Sequence, residues 1–112
     1  MRLRADIWVS AYLRRCAVEG TPAALRRRGA AEAGAIFVKL DRLDGRAVLY
    51  APAPQNLLSE SGFERLWTPA HSAPWLSPAD IEVRLAREIA FDPDLWLVEV
   101  EDRQGRCWLD LA

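Results

Sequence analysis

Two stretches of the chain alternate apolar and polar positions with period 2, the pattern of a strand with one buried face. The stronger is Leu95 to Leu111, LWLVEVEDRQGRCWLDL. Gln104-Gly105 supplies its turn, because Gly takes positive φ without a Cβ clash. A two-residue loop pairs Val100 with Leu109 and Val98 with Leu111. Trp96, Val98, Val100, Cys107, Leu109 and Leu111 then share one face. Burying those side chains would contribute on the order of 10 kcal/mol. The second stretch, residues 35–51, turns at Asp44-Gly45. There a two-residue loop pairs Leu40 with Leu49 and Val38 with Ala51, so that Ile36, Val38, Leu40, Ala47, Leu49 and Ala51 line one face.

Elsewhere the apolar spacing is helical. Over residues 3–19, Trp8, Val9, Tyr12, Leu13 and Cys16 fall on one side and Asp6, Ser10 and Arg14 on the other, with Gly20 as the stop. Ile7, Ala11 and Val18 make a second, smaller stripe that a small core does not need. Thr21-Pro22 offers an N-cap and Pro at N1 for a short helix ending at Gly29, with Arg26, Arg27 and Arg28 against the negative end of its dipole. Ser77-Pro78-Ala79-Asp80 opens a third helix with Ile81, Leu85 and Ile89 on one face, and Pro93 bounds it. Between them, residues 52–76 are punctuated by Pro52, Pro54, Pro69 and Pro74, with a short strand indicated from Phe63 to Trp67.

These elements predict one α+β domain over residues 1–112. An antiparallel sheet built from the two β-hairpins carries about three helices, which bury the Ile36/Val38/Leu40 and Trp96/Val98/Val100 faces. The two hairpins superpose at an offset of 60, Gly45 on Gly105, and a Thr/Ser-Pro-Ala start precedes each. This helix–hairpin pseudo-repeat is explained more readily by convergence than by duplication.

Composition changes the picture little. The chain has 112 residues, 51% of them hydrophobic and 28% charged, with a net charge of −1, which places it among globular domains and disfavours a general nucleic-acid or membrane binder. The distribution is less even: residues 1–29 hold seven Arg against Asp6 and Glu19, and residues 92–112 hold six acids against Arg103 and Arg106. The two ends are expected to lie close and neutralise each other. No apolar run is long enough for a membrane span and no secretory leader is recognisable, so a cytoplasmic location is expected. Cys16 and Cys107 have no metal-type spacing and read as buried small hydrophobes.

Candidate chemistry is sparse. Asp92, Asp94, Glu99, Glu101 and Asp110 are the densest functional groups, and in the two-residue-loop register Glu99 opposes Asp110. A divalent cation, or an Arg from the N-terminal region, would relieve that repulsion. A metal-dependent hydrolase using these carboxylates is therefore one alternative. A nucleic-acid binder using Arg2, Arg4, Arg14, Arg15 and Arg26 to Arg28 is a second, disfavoured by the balanced charge. One His, His71, and no nucleophile elbow give no catalytic triad, and no phosphate loop is present, so the balance leans away from an enzyme and implies no cofactor. Large aromatics outside the core elements, Trp67 and Trp75 beside His71, together with Trp108 on the acid-bearing face, are the candidate binding residues.

Several stretches resemble a known family. RLRADIWVSAYLRR, GAIFVKL, LYAPAPQ and RLAREIAFDPDLWLVEVED, the most specific part being AFDPDLW from Ala90 to Trp96, are similar to a small uncharacterised bacterial family, domain-of-unknown-function family 1491. The resemblance spans nearly the whole chain. It implies a single-domain cytoplasmic protein and assigns no activity, substrate or catalytic residue. The reading that best uses the surplus apolar surface is a binding or interaction module working as a homodimer, with Ile7, Ala11 and Val18 at the contact and the chain itself, or another protein, as partner.

Overall fold

A computed structural model describes residues 3–54 and 65–112. In chain order these form α1 (Ala5–Val18), β1 (Ala23–Arg27), β2 (Ile36–Asp41), β3 (Ala47–Pro52), β4 (Trp67–Pro69), α2 (Pro78–Phe91) and β5 (Trp96–Glu101). The strands make one mixed sheet in the order β1-β5-β2-β3-β4, within an α+β domain. Its centre is the parallel pair β2–β5, in register from Ile36 opposite Trp96 to Asp41 opposite Glu101. The remaining pairs, β1–β5, β2–β3 and β3–β4, are antiparallel.

The antiparallel, two-hairpin sheet expected from sequence is thus corrected, and so is the pseudo-repeat. Strand β5 has no hairpin partner in residues 106–111, because both of its edges are taken, one by β2 and the other by β1. The chain after Gly105 turns away at Trp108, whose φ is +58°, and runs to the far edge of the sheet, where Trp67 N–H donates to Asp110 O at 2.9 Å and Ala112 N–H to Trp67 O at 2.8 Å. The segment after Thr21-Pro22 is a strand and not a helix. A helix from Pro22 to Arg28 is too short to hold by propensity, and β5 offers a row of backbone partners that β1 satisfies. Two helices are present among the described residues, where three were expected.

The β2–β3 hairpin forms as expected, but in another register. Arg42 N–H donates to Arg46 O at 3.0 Å, so the loop holds Leu43, Asp44 and Gly45, with Leu43 and Gly45 at φ +63° and +86°. One extra loop residue slips the pairing by one, placing Leu40 opposite Val48 and Val38 opposite Tyr50. A one-residue slip turns a whole arm over. Val48 and Tyr50 therefore join Ile36, Val38 and Leu40, while Ala47 and Leu49 point to the other face with Phe37.

Both faces are covered. Helix α1 buries Ala5, Val9, Tyr12 and Cys16 against Ile36, Val38, Leu40, Trp96, Val98 and Val100. Helix α2 buries Ile81 and Leu85 against Phe37, Leu49, Leu95 and Leu97. It starts as the sequence predicts, with Ser77 Oγ accepting from Asp80 N–H at 3.1 Å and Pro78 at the first helical turn. Between β1 and β2 the chain lies directly on the entry to β5. A Cβ on Gly29 would stand 2.6 Å from the carbonyl carbon of Leu95, and one on Gly34 2.9 Å from Trp96 Cδ1, so glycine is required at both. Among the described residues no helix is long and apolar enough to cross a membrane.

Candidate functional site

The side chains expected to bind ligand each make contacts that hold the fold together. Trp67 is buried, its Nε1 donates to Ile36 O at 3.0 Å, and its ring lies 4.5 Å from that of Trp8. His71 lies on the sheet side of the same connection. Its Nε2 accepts from Leu49 N–H at 3.1 Å while Nδ1 stands 2.7 Å from Ala73 O, a pair of bonds that a ring protonated on Nδ1 satisfies. Trp75 is half-buried under the guanidinium groups of Arg42 and Arg46, 4.9 and 5.6 Å from its centroid. Trp108 donates to Thr21 Oγ1 at 3.0 Å and is flanked by Arg15 and Arg106. These aromatics fasten loops and tail to the sheet. The strand expected to begin at Phe63 lies there outside the described residues, and the described strand begins at Trp67.

The carboxylates are likewise dispersed. Asp92 Oδ1 accepts from Asp94 N–H at 3.0 Å in the turn after α2. Glu99 and Glu101 lie on β5, and Asp110 lies in the tail beside Trp67. Glu99 does not face Asp110. Among the described residues no group of three His, Cys, Asp or Glu stands close enough together to hold a metal ion.

Glu99 instead belongs to an ionic quartet drawn from four elements. Arg26 of β1 bridges Glu82 of α2 at 2.7 Å and Glu99 of β5 at 2.9 Å. Lys39 of β2, only 5% exposed, bonds Glu82 at 2.7 Å and lies 3.8 Å from Glu99. The hydrogen bonds of Arg26 and Lys39 pull the Glu82 carboxyl down to about 2, against the desolvation that opposes them. Arg26 is raised in turn, first by its bond to Glu82. An N-terminal Arg does relieve the acidic strand, as the charge distribution suggests. Lys39 and Glu82 carry no sequence signal for this role, since only the sheet order brings them together.

The other N-terminal arginines are spread over separate tasks. Arg4 pairs with Asp6 and Glu32, Arg27 donates to Pro93 O at 2.6 Å, and Arg28 lies 5.3 Å over the Trp96 ring. Arg15 and Arg28 have aromatic contacts but no hydrogen bond or ion pair, and Arg14 alone of those described has neither kind of partner; Arg2 lies outside the described residues.

An open surface lies on the outer side of α1 where it meets β1, an edge strand of the sheet. A groove of about 440 Å³ runs there. Ile7, Ala11, Leu13 and Leu25 form its apolar wall, and Arg14, Arg28 and Asp6, the last paired with Arg4, stand along it. Ile7 is 49% exposed and Val18, on the same helix beyond the groove, 77%. Of the two edge strands, β4 is met by the tail at Asp110 to Ala112, and β1 has no strand on its outer side among the described residues.

The sequence matches the model of a family described as a protein of unknown function, DUF1491, over residues 3–110. Solved structures are similar throughout. The crystal structure of a DUF1491 family protein from Caulobacter crescentus shares 35% identity and covers 100% of this chain and 99% of its own, with a TM-score of 0.80. The solution structure of protein Atu0922 from A. tumefaciens shares 39% identity over 100% of this chain and 96% of its own, with a TM-score of 0.83. A comparison with curated proteins finds no match.

Proposed function

The chain belongs to the DUF1491 family, and we propose that it is a small interaction module that pairs with a second copy of itself through the α1–β1 groove. The observation that carries this reading is the exposed apolar wall at Ile7 and Ala11, set beside a sheet edge with no strand on its outer side among the described residues. Contiguous apolar surface next to an open edge favours association over solvation. The arginines of β1 limit which partners can add there, because bare edge-to-edge stacking would bring guanidinium groups together. Two-fold pairing is the commonest closed arrangement.

Sedimentation at micromolar to high-micromolar concentration tests the reading. The expected result is a reversible dimer that Ile7→Glu splits without loss of folding, since Ile7 lies outside both core clusters. A chain that stays monomeric at several hundred micromolar overturns it.

A further inference from the structure

The groove's apolar wall and its arginines call for an occupant with an aromatic or aliphatic tip and flanking acids. The chain presents such a group on its own surface. Phe91, the last residue of α2, is 89% exposed and contributes to neither core cluster. Glu88, Asp92 and Asp94 surround it in sequence, with Arg87 on the turn before. The segment is rigidly held. Asp92 N–H donates to Glu88 O at 2.8 Å, Asp92 Oδ1 accepts from Asp94 N–H, and Asp94 O accepts from Ala30 N–H at 2.9 Å. A tip fixed in this way loses little conformational freedom on docking.

We propose that the groove of one copy receives Phe91 of a second copy, with Asp94 of that turn meeting Arg14. Two observations favour this occupant. Arg14 in the groove and the Asp94 carboxylate beside the tip are opposite charges, each without a bonded side-chain partner among the described residues. Tip and groove also lie at the same end of the molecule, since Arg27 and Ala30, at the end of β1, bond Pro93 O and Asp94 O. A two-fold axis at that end exchanges both tips at once and closes the assembly as a dimer. An interface built on two such exchanges is small and centred on the aromatic anchor, so most of its affinity resides in Phe91.

The inference rests on the self-association reading, and sedimentation separates their fates. Phe91→Ser, at a fully solvated position, is expected to fold normally and to raise the dimer dissociation constant at least about tenfold. Arg14→Asp and Asp94→Arg should each weaken the dimer, and the double variant should regain affinity over either. Mixing Phe91→Ser with Ile7→Glu should restore heterodimer, because one intact tip then meets one intact groove. A dimer split by Ile7→Glu but indifferent to Phe91→Ser would overturn the inference and leave the interaction reading standing. A wild-type monomer would end both.

Discussion

The two faces of the sheet use the same strands and are closed in different ways. Under α1 the covering is continuous and apolar from β3 across to β5: Tyr50 and Val48, then Val38 and Leu40, then Val98 and Val100, with Trp67 and Trp96 filling the end. Under α2 the apolar layer covers Phe37, Leu49 and Leu97 and then gives way to Lys39, Glu82, Glu99 and Arg26. The difference follows from chemistry. Apolar burial adds roughly 25 cal/mol per Å² wherever water is excluded. An ion-pair set gains Coulomb energy but loses hydration, and the two nearly offset. The α1 face therefore holds most of the stability, and the quartet fixes how the edge of the α2 layer seats on the sheet.

Core truncations give the largest test of that comparison. Trp96→Ala on the α1 face should cost about 3–5 kcal/mol, because a fully buried indole and its Nε1 bond to Ala30 O are lost together. Leu85→Ala on the α2 face should cost about 2–3 kcal/mol, the helix having one solvated side along which to relax. Urea unfolding of both variants reads the difference. Equal costs would mean that the two layers contribute alike, and a larger one for Leu85 would reverse the comparison.

How far this arrangement is legible from sequence varies by element. Helices α1 and α2 are explicit in the spacing of Val9, Tyr12 and Cys16 and of Ile81 and Leu85, and the cap at Ser77-Pro78 sets the start of α2. The β2–β3 hairpin is legible at Asp44-Gly45, but its register depends on whether Leu43 accepts a left-handed φ, which composition does not decide. Leu95-Trp96-Leu97-Val98 is an unbroken apolar run, the mark of a strand buried on both faces. Reading it as simple alternation with the Cys107–Leu111 segment assigns β5 the wrong partner. Thr21-Pro22-Ala-Ala-Leu has the local grammar of a helix, and only the open edge of β5 overrides it. For the candidate site, the apolar stripe at Ile7 and Val18 is visible from periodicity, whereas Phe91 falls at a helix end where periodicity is silent. The ionic quartet joins residues up to 73 positions apart, from strands whose order the sequence does not state.

The quartet gives a smaller and pH-dependent test. The Glu82 carboxyl is depressed in the folded chain to about 2, so it favours the folded state while ionised. That contribution is fully present above the ordinary value of 4.5 and is lost as pH falls from there through about 2. Because the pair is partly solvated, its size is on the order of 1 kcal/mol. Glu82→Gln should flatten the fall in unfolding free energy between pH 5 and pH 2 and change the Trp96→Ala deficit by little. A variant with an unchanged acid slope would show that the quartet is neutral to stability, and the α2 layer would then need another explanation for its seating.

The thiols report on the α1 face alone and give the smallest expected effect. Cys16 and Cys107 are both buried there, and burial pushes both above the usual thiol range. Tyr12 Oη donates to Cys107 O at 2.6 Å and so ties the tail to α1 over them. In the native protein at pH 8 an aromatic disulfide reagent should therefore react with neither thiol except through transient opening, and both should react at once in denaturant. If the face opens by release of α1 and the tail, Val9→Ala should speed labelling several-fold while Leu85→Ala leaves it nearly unchanged. Labelling accelerated equally by the two substitutions would mean that the sheet and both helices open as one unit. The contrast between the faces would then be one of composition, without separate stability.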